Sequence, residues 1–292
     1  MRKNVFGNLK RISKKAATVC LSASVLLSLS SCESIKMSFA GGITDSGISM
    51  DSVACGKVYS PDSFECDVKP TPYDTVYDNC LFVGNTVMCD FYKSVELWRE
   101  SADVFPKSYF FCNENFGVYE NNYVNSSVAS SHHPVLKYED ESFKCSVEEA
   151  VEKTGVSRVV FCLAGINDLP IYGDEENCHV KTASEMAKLI RSLKEKFYGL
   201  SVVVVGTPPI SSGATYMKSV NNEKIAQLNG ELRKVCTESG ADFIDVSLVL
   251  CDENGALKQE YCSDGYCKIN EKGCVAILAS LRYYAKERKG EI

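Results

Sequence analysis

The stretch CLFVGNT, residues 80–86, is a short apolar run that stops at a glycine and continues into a helical pattern. The arrangement recurs in RVVFCLAGIND, residues 158–168, and a β-branched run at residues 201–205 precedes GTPP. A further apolar run occupies residues 109–112. Runs of this length without polar alternation are typical of strands in a parallel sheet that is covered on both faces.

Helical patterns separate these runs. Ser146 and Glu149 form a capping box for a short helix, and amphipathic segments follow from Thr182 or Ser184 and around residues 225–240. A last strand is expected over 243–246 and a closing helix over 270–286. This alternation predicts one doubly wound α/β domain, residues 76–292, with a parallel sheet between two layers of helices. Functional groups are expected in the loops after the strands.

The N-terminus has the pattern of an export signal. Six basic residues and no acidic residue precede an uncharged stretch, residues 16–31, which ends in LSSC and resembles a bacterial lipobox. Residues 1–31 are therefore predicted to be a signal peptide and Cys32 the lipidated residue that anchors the protein to the outside of the bacterial cell membrane. An ordinary cleaved signal and a short anchor helix are the alternatives. Residues 32–75, rich in Ser, Gly, Asp and Pro, are predicted to form a tether, and packing of residues 58–72 onto the domain stays open.

Charge and cysteine content narrow the classes of partner. Loss of the signal removes six of the 32 basic residues and none of the 38 acidic ones, which leaves a net charge of −12 and argues against nucleic-acid binding. Of the 15 cysteines, 13 remain after Cys20 and Cys32 are set aside, and an odd number cannot pair completely. Pairing of Cys55 with Cys66 and of Cys251 with Cys262 stays open. No spacing suggests a zinc site, so no metal or cofactor is expected.

Three short blocks stand at predicted strand ends: FVGNT at residues 82–86, GIND at 165–168 and DGYC at 264–267. In this order they resemble the SGNH hydrolase family of GDSL-type esterases, over about residues 75–286. The resemblance implies a flavodoxin-like fold and acyl-transfer chemistry. In that chemistry a serine attacks an ester, a histidine oriented by an aspartate takes its proton, and backbone and asparagine donors stabilise the oxyanion.

The resemblance assigns roles to residues of this chain. Thr86 takes the nucleophile position, Asp264 the orienting position and Cys267 the base position. Asn167 takes the oxyanion position, and the backbone N–H of Thr86, at the start of a helix, could serve as a second donor. The remaining candidate oxyanion or binding residues are Asn85, Asn115, Gly165 and Asp168, and Gly117 is an alternative to Asn115 for the glycine of the second block.

Two of these positions depart from the family pattern. The methyl group of Thr86 crowds a site shaped for serine, and a thiol with an ordinary pKa of about 8.5 cannot replace histidine as the base. The sequence thus predicts a catalytically degenerate protein that binds an acylated glycan or another cell-surface ligand. The alternative is a slow O-acyl esterase that acts on cell-wall or extracellular polysaccharide.

Other roles for nearby residues remain open. His132, His133 or His179 could supply the missing base, and His179, Cys178 and Asp168 form a weaker candidate metal site. Cys267 could act as a thiol nucleophile or pair with Cys262.

Replacement of Cys32 by serine tests the lipid anchor. Without the thiol no thioether to lipid can form, so Cys32→Ser should lose both lipid labelling and membrane association. The measurement is incorporation of a labelled fatty acid together with cell fractionation. A variant that still takes up label and still sediments with membranes would refute the anchor.

Overall fold

The computed structural model describes residues 57–59, 67–123, 135–137, 140–163, 165–214 and 218–290. The predicted signal peptide, Cys32, the Cys55–Cys66 pair and the two histidines at 132 and 133 lie outside these residues. Within the described part, no helix is both long and apolar enough to span a bilayer.

Eight strands of the described residues form one sheet in the order β1-β8-β7-β6-β2-β3-β4-β5. They are β1 (Val58–Tyr59), β2 (Cys80–Gly84), β3 (Tyr109–Cys112), β4 (Val135–Lys137), β5 (Asp140–Lys144), β6 (Arg158–Cys162), β7 (Ser201–Val205) and β8 (Asp242–Ile244). The first six strands in this order, β1-β8-β7-β6-β2-β3, are parallel to their neighbours. Strands β4 and β5 add an antiparallel hairpin beside β3. The predicted parallel sheet is confirmed, and the hairpin and β1 extend it.

Helices cover both faces of this sheet. They are α1 (Thr86–Ala102), α2 (Val118–Tyr123), α3 (Val147–Thr154), α4 (Cys178–Lys196), α5 (Asn222–Ser239), α6 (Ser247–Leu250) and α7 (Glu271–Arg288). The apolar residues of α1 and α7 pack into one core with one face of the sheet, and those of α3, α4 and α5 pack into a second core with the other face. The predicted doubly wound α/β architecture is therefore confirmed.

Local capping explains where the helices begin and end. The Ser146 hydroxyl accepts from the Glu149 N–H at 3.2 Å, and the Glu149 carboxylate accepts from the Ser146 N–H at 2.8 Å. Gly155 ends α3 in the left-handed conformation, which glycine adopts without strain. Helix α4 begins at Cys178, earlier than the sequence predicts, because its first turn lies ahead of the amphipathic pattern.

Two stretches that the sequence assigned to the tether pack on the domain instead. Tyr59 in β1 is buried, and its ring lies 4.6 Å from that of Tyr284. Further along, the Arg282 guanidinium binds both carboxylate oxygens of Asp74 at 2.8 Å and the carbonyl oxygen of Lys69 at 2.9 Å. The folded domain therefore begins before residue 76, which the sequence could not show because a two-residue strand carries no periodicity.

Removal of the buried Asp74 carboxylate should destabilise the domain strongly. Asp74→Ala leaves the buried Arg282 guanidinium without a carboxylate to balance its charge, which typically costs about 3–5 kcal/mol. Urea unfolding of the two proteins measures the difference in the free energy of unfolding. Asp78→Ala is the matched control, because Asp78 pairs with the exposed Lys107 and should change this free energy by less than about 1 kcal/mol. Equal changes in the free energy of unfolding for the two variants would contradict a stabilising role of the buried Asp74–Arg282 pair.

Candidate functional site

The candidate site begins where β2 ends. Gly84 is paired in register with Cys112 on one side and with Cys162 on the other. A Cβ at Gly84 would lie 2.0 Å from the Cys162 carbonyl oxygen and 2.5 Å from the Met88 Cβ. Glycine is therefore required for α1 to start this close to β6, and this close approach places Asn85 and Thr86 at the carboxyl edge of the sheet.

Thr86 and Asn167 meet at one backbone oxygen. The Thr86 hydroxyl donates to the carbonyl of Glu114 at 3.3 Å, and the Asn167 side-chain amide donates to the same oxygen at 2.9 Å. The Asn167 amide also donates to the carbonyl of Phe116 at 2.8 Å, as does the Asn85 amide at 3.4 Å. The structure thus brings Asn85, Thr86 and Asn167 together, with the loop after β3 folded across them.

Asp168 holds the end of this loop through hydrogen bonds to its backbone. Its carboxylate is 4% exposed and accepts hydrogen bonds from the N–H groups of Val118 and Tyr119 at 2.8 and 3.2 Å. Burial raises the pKa of Asp168 to about 7 against the lowering effect of these two donors. A Cβ at Gly117 would lie 3.2 Å from the Asp168 carboxylate, so the glycine lets the loop approach Asp168. Asp168 therefore has a positioning role.

The structure also gives local structural roles to two further candidate residues, Gly165 and Asn115. A Cβ at Gly165 would lie 3.0 Å from the Leu169 side chain, so Gly165 permits tight packing of the third block. Asn115 is exposed, and its N–H donates to the Asn113 side-chain oxygen at 3.0 Å. The backbone N–H of Asn115, one of the donors that the resemblance implies for the oxyanion hole, is thus bonded within its own loop.

Asp264 holds the backbone of the loop before α7. One of its carboxylate oxygens accepts from the N–H groups of Tyr266, Cys267 and Lys268 at 2.8, 2.9 and 3.0 Å. Partial burial opposes ionisation of Asp264, but these hydrogen bonds outweigh it and lower the pKa. A carboxylate occupied in this way shapes the loop, as a capping residue does.

Cys267 and Lys268 have different surroundings. Cys267 is 6% exposed and packs in the core on the α4 and α5 side. Burial, with a further contribution from Asp264, raises the pKa of its thiol to about 12. The Lys268 ammonium, in contrast, forms an ion pair with the Glu114 carboxylate at 3.3 Å. Lys268, which the sequence analysis missed, therefore contacts the loop over Thr86, whereas the residue assigned to the base position is buried in the core.

A family model described as the GDSL-like lipase/acylhydrolase family matches residues 114–274, more than half of the chain. The chain belongs to the GDSL-like lipase/acylhydrolase family. The matched region includes Asn167 and the loop at Asp264, and it begins after Thr86. No curated protein matches the chain.

Solved structures share this GDSL-family fold. A protein proposed as a platelet activating factor from Streptococcus pneumonia is 19% identical with a TM-score of 0.50, and the match covers 71% of this chain and 84% of that chain. A proposed acylhydrolase from Bacteroides fragilis is 17% identical with a TM-score of 0.51, covering 75% and 90%. At these identities the likeness establishes the fold alone.

Among the described residues, no hydrogen bond is found between Thr86 and a histidine. The hydroxyl of Thr86 is bonded to Glu114, and His179 lies at the start of α4 with its Nδ1 buried and without a hydrogen-bond partner. In the same part of the chain, no three His, Cys, Asp or Glu side chains are grouped to hold a metal ion. Cys251, Cys262 and Cys267 are all unpaired thiols.

Alkylation distinguishes a buried Cys267 from a reactive one. Only a thiolate reacts readily, so the raised pKa predicts that Cys267 resists iodoacetamide at about pH 8, close to the ordinary pKa of a thiol. Cys262, which is partly exposed, is the matched control and should be modified first. Mass spectrometry of timed samples measures both, and unfolding in urea should make both reactive. Faster labelling of Cys267 in the folded protein would support its role as a nucleophile.

Proposed function

We propose that this GDSL-family chain is a lipid-anchored extracytoplasmic protein that binds an acylated glycan or another cell-surface ligand without hydrolysing it. The family membership supports the fold. The anchor at Cys32 and the loss of catalysis are our proposal, and each follows from particular residues.

One observation carries the proposed loss of catalysis. Acyl transfer needs donors that face the oxyanion as it develops, and here the Asn167 amide donates to the carbonyls of Glu114 and Phe116. The Thr86 hydroxyl donates to Glu114 as well. The Thr86 hydroxyl and the Asn167 amide, which would attack an ester and help to stabilise its oxyanion, are thus bonded to the protein itself.

Within the part of the chain that the structure describes, the two residues at the expected base position do not supply a base for Thr86. A general base must lie within hydrogen-bond reach of the proton that it takes. Cys267 is buried with a raised pKa, and the pKa of Lys268 is raised by its hydrogen bond to Glu114, which keeps the ammonium protonated. Neither side chain can accept a proton from Thr86 near neutral pH.

Hydrolysis of p-nitrophenyl acetate tests the proposed loss of catalysis. The wild-type protein and Thr86→Ala should release p-nitrophenol at the same background rate, because an unactivated hydroxyl adds no turnover. Thr86→Ser, which keeps a hydroxyl, is the control for repacking and should also stay at background. A wild-type rate above background that Thr86→Ala abolishes would instead support the slow esterase. The variants His132→Ala, His133→Ala and His179→Ala would then identify its base.

The binding half of the proposal uses the same proteins. Retention on immobilised acetylated xylan is compared with retention on the same xylan after chemical deacetylation. The proposal predicts stronger retention on the acetylated form and a loss of that difference in Asn167→Ala, which lacks the amide donor. Equal retention of the wild-type protein on both forms would contradict it.

A further inference from the structure

The residue whose carbonyl accepts from Thr86 also forms an ion pair with its side chain. The Lys268 Nζ lies 3.3 Å from a carboxylate oxygen of Glu114, and both side chains are about two-fifths exposed (41% and 42%). The main-chain carbonyl of the same Glu114 accepts the hydrogen bonds from Thr86 and Asn167. The backbone carbonyl of Glu114 thus accepts from both hydrogen-bond donors, Thr86 and Asn167. Its side-chain carboxylate pairs with the Lys268 ammonium group.

The other carboxylates near Lys268 accept hydrogen bonds from backbone N–H groups. Asp90, one turn after Thr86 on α1, accepts from the N–H of Ile269 at 3.1 Å. Asp264 accepts from three N–H groups of its own loop, including that of Lys268. Lys93 adds a second positive charge whose field acts on Asp90. Glu114 is therefore the carboxylate with which the Lys268 ammonium pairs directly.

Because the Lys268–Glu114 pair is partly exposed, a ligand can replace one of its members. An ion pair between partly exposed side chains typically contributes less than about 1 kcal/mol, so a ligand carboxylate can replace Glu114 on Lys268 at little cost. The Asn167 amide and the Thr86 hydroxyl both donate to the carbonyl of Glu114, and a ligand that displaces this carbonyl can offer them neutral oxygens instead. A glycan whose sugar carries a carboxylate presents both kinds of group.

We infer that Lys268 is the residue that selects the ligand of this site, and that the ligand is an acidic glycan whose carboxylate replaces that of Glu114. The inference rests on the proposed binding function and adds the charge of the ligand. In this account Glu114 is an internal competitor that keeps the site closed in the absence of ligand. Lys268 and Glu114 must therefore affect affinity in opposite directions.

A pair of substitutions with opposite expected signs tests the inference. Glu114→Gln keeps the size of the side chain and removes the competing charge, so it should tighten binding of a carboxylate about two- to fivefold. Lys268→Met removes the ammonium and should abolish any preference for a carboxylate. The probes are glucuronate, glucose and glucose 6-phosphate, titrated against the full-length protein in detergent and followed by saturation-transfer NMR.

Controls separate a local effect from misfolding. Lys196→Met and Glu152→Gln break another exposed ion pair, between α4 and α3, and should leave glucuronate binding unchanged. Circular dichroism checks that each variant is folded. Should Lys268→Met not fold, Lys268→Gln and the tightening expected of Glu114→Gln still test the inference.

Several results would overturn the inference. They are absence of glucuronate binding, equal binding of glucuronate and glucose, preference for the phosphorylated sugar, and weaker binding by Glu114→Gln. Loss of the charge preference in a protein that still binds acetylated xylan would remove this inference alone. Thr86-dependent hydrolysis would overturn the proposed function and leave the charge preference to be judged separately.

Discussion

The parallel pairing of β2 with β3 on one side and β6 on the other places Gly84 directly between Cys112 and Cys162. Three strands therefore leave the sheet at one level, and the segments that follow them must share a small volume. The missing side chain at Gly84 makes this possible, because a Cβ there would overlap the Cys162 carbonyl. From this constraint follow the position of Thr86 at the start of α1, the placement of Asn167 opposite it, and the loop that lies across both.

The same crowding gives the site its closed form. The carbonyls of Glu114 and Phe116 accept hydrogen bonds from Thr86 and Asn167, and the Glu114 side chain reaches Lys268. A ligand oxygen must replace these bonds, and since each contributes only about 0.5–1.5 kcal/mol net, exchange by a ligand with several polar groups is energetically accessible. Catalysis requires more, namely donors aimed at the oxyanion and a base beside the nucleophile. On this ground we propose that the site binds its ligand rather than hydrolysing it.

Much of this arrangement could be predicted from the sequence, because apolar runs that end in glycine mark buried parallel strands and their polar successors mark the site. The predictions failed where a feature leaves no periodic signal, as with the two residues of β1 and the antiparallel hairpin of β4 and β5. They also failed where the direction of a side chain decides whether the residue reaches the site. Counting from Asp264 places Cys267 at the base position, but only the structure shows that Cys267 is buried in the core and that Lys268 contacts Glu114. Nor could spacing reveal that the N–H of Asn115 is bonded to Asn113.

The central claim is that the protein itself occupies the hydroxyl of Thr86 and the amide of Asn167 and that no imidazole activates Thr86. A high-resolution crystal structure that includes residues 124–134 tests it most directly. Our account predicts that the Thr86 hydroxyl and the Asn167 amide remain bonded to the Glu114 carbonyl, with His132, His133 and His179 out of hydrogen-bond reach of Thr86. A histidine nitrogen within about 3 Å of the Thr86 hydroxyl, with the Asn167 amide turned away from Glu114, would contradict it.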